Sequence, residues 1–423
     1  MKFVFLPLGS AGDLHPMIWL ARAVAARGHE VVMIAQAKVA DMPRAAGLQV
    51  VEVGDPVAQE KLLHNPDIWH PKKGFKVLGG LFPVWAREML PLVKAEAAGR
   101  SDVVTVAAGI ALAGVLAREA WKIPSITVQL QPSVFMSVES TPVMAAGLEW
   151  LPRMPKFARR ALFAVAHKQV DKTLAGNVNA IRRELGLQGQ VRGIFREYWY
   201  SPDGVLALFP EWFSPKQTDW PAQTEQARFP LYDESNERPI DAALEAFLAD
   251  GERPVLFTPG SANLHGEKFF EAAAGACELL KCRGLFVTRK PDVVKKLPAR
   301  SAVFAYVPFS RVFSRCAAVV HHGGVGSCAQ GLAGGVPQLL MPMSHDQPDN
   351  AARLKRMGVG DYLYPKHFTP ARITGKLKTL MQDRAVGEAC ARYRALMAAQ
   401  MSPDATAAIV EKMASQALAK RAV

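Results

Sequence analysis

Two patterns of apolar and polar positions alternate along the chain: short runs rich in β-branched residues, and longer stretches with apolar residues three or four apart. The first predicts buried strands and the second amphipathic helices. KFVFLPLG (2–9) reads as a strand, PMIWLARAVAARG (16–28) as a helix and HEVVMIAQ (29–36) as a second strand. Pro16 suits a first helical turn and Gly28 a helix stop. DVVTVAA (102–108), IALAGVLAREAW (110–121) and SITVQL (125–130) repeat the unit, and VLALF (205–209) closes that half. Alternation of this kind predicts a parallel sheet covered by helices on both faces.

From Pro210 to about Arg238 the pattern loosens into Pro, Gln, Asp and Glu, which reads as an interdomain crossing. It then restarts with RPVLFTPGS (253–261), FFEAAAGACELLK (269–281), RGLFVTR (283–289), SAVFAYVP (301–308), CAAVV (316–320) and GVPQLLMP (335–342). The expected architecture is α/β: two doubly wound, Rossmann-like domains facing each other across a cleft. The expected spans are 1–215, a linker at 216–238, a second domain at 239–400, and a helix at 401–423 crossing back to the first domain. In open sheets of this kind ligands sit at the carboxyl ends of strands.

Composition narrows the class. The chain has 423 residues, half of them hydrophobic and 21% charged, which is globular rather than disordered. Its five cysteines form no CxxC pair, so they read as reduced, buried thiols. The apolar run at the N-terminus is too short for a signal peptide, no stretch of ~20 apolar residues could span a bilayer, and the expected location is the cytoplasm. A net charge of +13 points to an anionic partner. Nucleic acid fits least, because no recognition motif accompanies the charge.

Chemistry concentrates where strands end. HHGGVGS (321–327) follows the CAAVV strand and opens a short helix, so free N–H groups and the helix dipole converge on one spot. His322, Gly324, Gly326 and Ser327 could hold an anion there, with a plain strand-to-helix turn as the alternative. The dinucleotide pattern G-x-G-x-x-G fails at GSAGDLHP (9–16), and no P-loop string occurs. No D-x-D pair is present, so a diphosphate must be neutralised by protein groups rather than by a metal ion. SHDQPDN (344–350) sets Asp346 and Gln347 just past the apolar GVPQLLMP strand, where carboxylate and amide suit sugar hydroxyls. Asp346 or Asp349 could instead cap the helix NAARLKRMG (350–358).

HHGGVGS, GVPQLLMP and HDQPDN in this order and spacing resemble the donor-site signature of the GT-B, family 1 glycosyltransferases, and GSAGDLHP resembles their acceptor-side loop. In finer detail DIWHPKKGF (67–75), QLQPSVFMS (129–137), NAIRRELGL (179–187), FREYWYSPDGVLALFPEWF (195–213) and FTPGS (257–261) are similar to the rhamnosyltransferases of rhamnolipid synthesis. The resemblance implies an inverting, metal- and cofactor-free transfer of a sugar to a lipid hydroxyl. L-rhamnose from dTDP-L-rhamnose is the implied donor group and a 3-(3-hydroxyalkanoyloxy)alkanoate the implied acceptor. A UDP-glucose enzyme acting on a sterol, flavonoid or macrolide-like molecule, and a non-catalytic nucleotide-sugar binder, are the alternatives.

Carried over residue by residue, His322, Gly324 and Ser327 match contacts to the donor diphosphate, Ser261 a serine near the phosphates, and Asp346 and Gln347 the pair that holds the donor sugar. Tyr306 and Val307 stand where plant relatives place a base-stacking tryptophan. Many family members have a catalytic histidine in the first loop; the matching residue here is Asp13, whose carboxylate can take a late proton, with His15 as reserve base. A helix cap is the alternative for Asp13. Gly12, Trp69, Phe82, Trp85, Gln131, Phe135 and Met136 are the expected acceptor contacts, although such aromatic stripes are most often core. Segment 151–172 predicts a helix with basic and apolar sides, suited either to packing on the first domain or to peripheral contact with an anionic membrane face. An acceptor-supplying acyltransferase is the other expected partner.

Overall fold

The structure, a computed structural model, describes residues 1–63, 67, 74–234, 239–260 and 266–421. Ser261, Trp69 and the stretch 235–238 lie outside the described residues. The chain divides into two compact units, one of residues 1–142, 150–230 and 401–423, the other of residues 143–149 and 231–400.

The first unit is built on seven strands: β1 (Lys2–Leu6), β2 (Glu30–Gln36), β3 (Gln49–Val53), β4 (Val103–Ala108), β5 (Ser125–Gln129), β6 (Val205–Ala207) and β7 (Thr224–Gln226). Their order is β3-β2-β1-β4-β5-β6-β7, and every pairing is parallel. Phe3, Val4, Phe5 and Leu6 are wholly buried, as a central strand with both faces covered requires. Strand order reverses between β1 and β4, so the loop after β1, which carries Gly9 to Asp13, opens at the switch point.

The second unit holds β8 (Val255–Thr258), β9 (Gly284–Val287), β10 (Ala302–Phe304), β11 (Ala318–His321), β12 (Gln338–Leu340) and β13 (Gly360–Tyr362). Their order is β10-β9-β8-β11-β12-β13, again all parallel. Phe257, Phe270 and Phe286 fill one face, and Leu256, Leu285, Val307 and Val319 the other. Here the switch point falls between β8 and β11. The α/β, doubly wound reading therefore holds in each unit, with β3, β7 and β13 as outer strands beyond the apolar runs read from the sequence.

Three local readings need correction. The first helix runs Ala11–Ala25 and encloses Pro16, rather than starting at it. Ser10 at its N-cap and Asp13 three residues on supply a capping box that starts the helix early, so Pro16 falls in the second turn, where it has no N–H to donate. The stretch taken as a crossing is not loose: β7 pairs with β6, and the chain stays in the first unit to Pro230. Its polar composition hides Phe213, Trp220 and Phe229, all buried. Most of the expected acceptor aromatics are core. Phe135 stacks on Trp220 with ring centroids 4.0 Å apart and lies 5.7 Å from Tyr200. Phe82 and Trp85 are buried on one helix, Phe82 also 6.1 Å from Phe195.

Phe135→Ala separates the two roles for that ring. Loss of a buried phenyl should lower unfolding free energy by about 3–5 kcal/mol in a urea titration. Stability equal to the parent's would return Phe135 to a ligand-facing wall.

Candidate functional site

In the second unit the site grows from the end of β11. His321 is wholly buried, and the Gly323 N–H donates to its Nδ1 at 3.1 Å. Nδ1 must therefore be the acceptor, so Nε2 carries the hydrogen and donates to Gln338 Oε1 at 2.9 Å. Burial pushes the His321 pKa down to about 4. This imidazole is a structural brace for the turn.

His322 differs. Its Nδ1 is buried without a partner, and burial, helped by His321, pushes its pKa down to about 3. The ring is thus neutral, because the pocket desolvates it. Gly260, after β8, has φ +91°, and a Cβ there would lie 2.6 Å from His322 Cε1. A Cβ on Gly324 would lie 2.6 Å from His322 Nε2. The ring is clasped between two backbone segments that tolerate no side chain.

Helix Val325–Gly334 follows, with Gly324 at its N-cap. The Val325 N–H is taken by Asp346 Oδ2 at 3.3 Å. Among the described residues the N–H groups of Gly324, Gly326 and Ser327 have no partner. Unsatisfied donors at a helix start, beside a neutral imidazole with a spare nitrogen, form a preorganised anion cradle.

The strand β12 feeds the other wall. Helix Gln347–Arg356 begins after a left-handed turn at His345, φ +60°. Gln347 Oε1 accepts the N–H groups of Met343 and Ser344 at 2.8 and 3.3 Å, so its carbonyl shapes the loop rather than awaiting ligand. Asp346 occupies the N-cap position but makes no cap bond to its own helix. Its Oδ2 instead accepts Asn350 Nδ2 at 2.7 Å as well as Val325 N–H. Burial lifts its pKa to about 6 although those bonds pull it down. Asp349, the other capping candidate, accepts Val143 N–H at 3.1 Å and Arg353 Nε at 2.7 Å.

Asn350, the last residue of SHDQPDN, belongs to the site as well. Its Nδ2 donates to Gly323 O at 2.9 Å and to Asp346 Oδ2, and so fastens the anion turn to the carboxylate. Its place one helical turn beyond Asp346 brings the two side chains together.

Tyr306 and Val307 follow β10. The Tyr306 hydroxyl donates to the Asp233 carbonyl, and Val307 is 2% exposed within the sheet's apolar face.

In the first unit, Asp13 Oδ2 accepts the Ser10 N–H at 2.8 Å and the Ser10 hydroxyl at 3.1 Å. It is the N3 partner of a capping box rather than an N-cap. Gly9, φ +124°, is obligatory because a Cβ would fall 2.3 Å from that carboxylate oxygen. Gly12 is exposed on the first turn, and His15, Gln131 and Met136 are partly exposed. No group of three or more metal-binding side chains is assembled among the described residues, and no helix there is long and apolar enough to cross a membrane.

The histidine assignments predict a pH signature. Both rings titrate below the ordinary 6.5, so the unfolded chain binds protons first as pH falls. Native stability should be full above about pH 6.5 and decline as pH drops toward 4. Imidazole NMR should show both rings neutral at pH 5.5; a midpoint near 6.5 for His322 would contradict its burial.

Comparison with known proteins fits this geometry. Residues 285–413 match the erythromycin biosynthesis protein CIII-like C-terminal domain, and residues 3–139 match the glycosyltransferase family 28 N-terminal domain. The chain is 28% identical to O-mycaminosyltylonolide 6-deoxyallosyltransferase of Streptomyces fradiae, covering 98% of each chain. It is 25% identical to a sterol 3-beta-glucosyltransferase of Arabidopsis thaliana, over 92% of this chain and 62% of that one. Among solved structures, spinosyn forosaminyltransferase superposes with a TM-score of 0.72 at 20% identity, covering 98% of this chain and 99% of that one. Spinosyn rhamnosyltransferase complexed with thymidine diphosphate gives 0.68 at 21% identity, covering 98% and 100%. Two Rossmann-like units, matched in turn by these two domain families, make the chain a glycosyltransferase of the GT-B type.

Proposed function

We propose that the chain transfers L-rhamnose from dTDP-L-rhamnose to the hydroxyl of a 3-(3-hydroxyalkanoyloxy)alkanoate, with inversion and without a metal ion. One observation carries the donor half: three unpaired N–H groups stand at a helix start whose Val325 N–H is held by the Asp346 carboxylate, with the His322 Nε2 edge turned toward Gly324. In this reading the diphosphate lies on Gly324, Gly326 and Ser327, and His322 donates one hydrogen bond to it as a neutral ring. Asp346 receives sugar hydroxyls, while Gln347 orders the loop beneath them. The thymidine diphosphate and rhamnosyl chemistry are supported by the name of the spinosyn relative. The lipid acceptor is supported by the sequence segments similar to rhamnolipid enzymes. A macrolide-like acceptor is the second reading, favoured by the deoxyallosyltransferase relative.

In the proposed transfer the acceptor oxygen bonds to the anomeric carbon as the carbon–oxygen bond to phosphate breaks, and dTDP departs with the electron pair. The cradle N–H groups stabilise that departing charge, the largest electrostatic demand of the step. Asp13 takes the hydroxyl proton. Its bonds from Ser10 fix the carboxylate at the helix start, which positions it as a base acting late.

His322→Ala should weaken dTDP binding by about 1.5–3 kcal/mol, the range for a hydrogen bond to a charged group. Unchanged affinity in calorimetry would remove the diphosphate assignment. Asp13→Asn should keep dTDP affinity while turnover falls at least ~10²-fold; a fully active variant would leave Asp13 as a helix cap and pass the role to His15. A thermal-shift comparison of dTDP-rhamnose, UDP-glucose and UDP-GlcNAc decides the donor, since the tightest binder raises the melting point most.

Asp346 sets an acid limb. Its carboxyl titrates near 6, so the anionic form that accepts sugar hydroxyls is lost as pH falls below that value. Affinity for the intact sugar nucleotide should drop between pH 7 and 5, and Asp346→Asn should flatten the profile. Parallel profiles in parent and variant would contradict the role.

A further inference from the structure

We infer that the N-terminal half of the Lys156–Glu184 helix is a docking face for an anionic lipid surface. This helix already has a buried side: Arg159, Phe163, Leu174, Val178, Ile181 and Arg182 face the unit. Arg159 donates to the Thr141 hydroxyl at 3.0 Å, and Arg182 pairs with Glu119. Two residues of the predicted amphipathic segment, Arg159 and Phe163, therefore serve the interior.

The opposite side is apolar as well. Phe157 is 76% exposed, Val165 67% and Leu162 41%. Phe157, Ala161 and Val165 stand at four-residue spacing on one stripe, all exposed, with Leu162 on its edge. Intramolecular packing leaves this stripe uncovered, and exposed apolar clusters of this kind mark interaction surfaces.

Charge selects the occupant. Arg153, Lys156, Arg160, Lys168 and Lys172 are exposed around the stripe. Lys156 pairs with Glu139 at 2.5 Å; the others have no ion pair among the described residues. The one carboxylate within 151–172, Asp171, is turned away and accepts the N–H groups of Gly193 and Ile194 at 2.7 and 2.9 Å. An apolar ridge with cations on its flanks matches acyl chains beneath anionic headgroups, and long basic side chains reach outward while the ridge sinks in. A protein partner would need an acidic, apolar groove of matching curvature; a bilayer needs only charge. The inference is independent of donor chemistry.

Flotation of the full chain with vesicles tests it without any activity readout. With phosphatidylcholine containing about a third phosphatidylglycerol, at low salt, the bound fraction should exceed that on pure phosphatidylcholine at least tenfold, and ~0.5 M salt should release it. Phe157→Glu/Val165→Glu, and separately Lys168→Glu/Lys172→Glu, should each cut binding at least tenfold with unchanged melting temperature, because all four side chains are exposed. Three results would overturn the inference: no binding to anionic vesicles at low salt, equal binding by the parent and the Phe157/Val165 variant, or a parent dimer in size-exclusion that this variant dissolves.

Discussion

The candidate site depends on two hydrogen bonds from one amide. Asn350 Nδ2 reaches the Gly323 carbonyl and the Asp346 carboxylate at once, so both of its hydrogens are committed. One bond fixes the peptide from which the cradle N–H groups are presented. The other fixes the carboxylate that also accepts Val325 N–H from the same helix start. Two strand ends, β11 and β12, are thereby joined through a single side chain. Replacing it would leave a buried carbonyl and a half-buried carboxylate short of donors, each at a cost of about 1–3 kcal/mol.

Around that clamp neither histidine supplies a cation. Both histidines are neutral, and Asp346 titrates near 6. The cradle therefore offers dipoles, which are already oriented and need no counter-ion when empty. A diphosphate would bring the charge itself. The first unit likewise keeps a carboxylate at a helix start, where Ser10 donates twice to one Asp13 oxygen. The same device, a carboxylate accepting a backbone N–H at a helix start, recurs in the two units at Asp346 and Asp13.

What the sequence reveals follows from how physical signals are written in it. Central parallel strands are buried on both faces, so β1, β4, β8 and β11 stand out as apolar runs. The HHGG turn stands out because few residue types permit Gly323 at φ +94° or the close approach of Gly260 to His322. Signals carried by long-range partners do not stand out. Nothing local tells that Trp220 stacks on Phe135, so a Pro- and Gln-rich stretch looks like a linker. Val307 looks available beside Tyr306 until the sheet face that swallows it is known. Asn350 looks like one more helix residue until the Gly323 carbonyl arrives from 27 positions away. The charge state of His322 is not legible either, because side-chain identity is visible in sequence and desolvation is not.

The most direct measurement is a backbone-amide NMR titration of the full chain with dTDP, without sugar or acceptor. Hydrogen bonding to a diphosphate should move the Gly324, Gly326 and Ser327 amides downfield in parallel with a single binding constant, and should shift the His322 ring signals with them. The Val325 amide, already bonded to Asp346, should move least within that turn. Binding of dTDP with those three amides unmoved would place the diphosphate elsewhere and contradict the assignment.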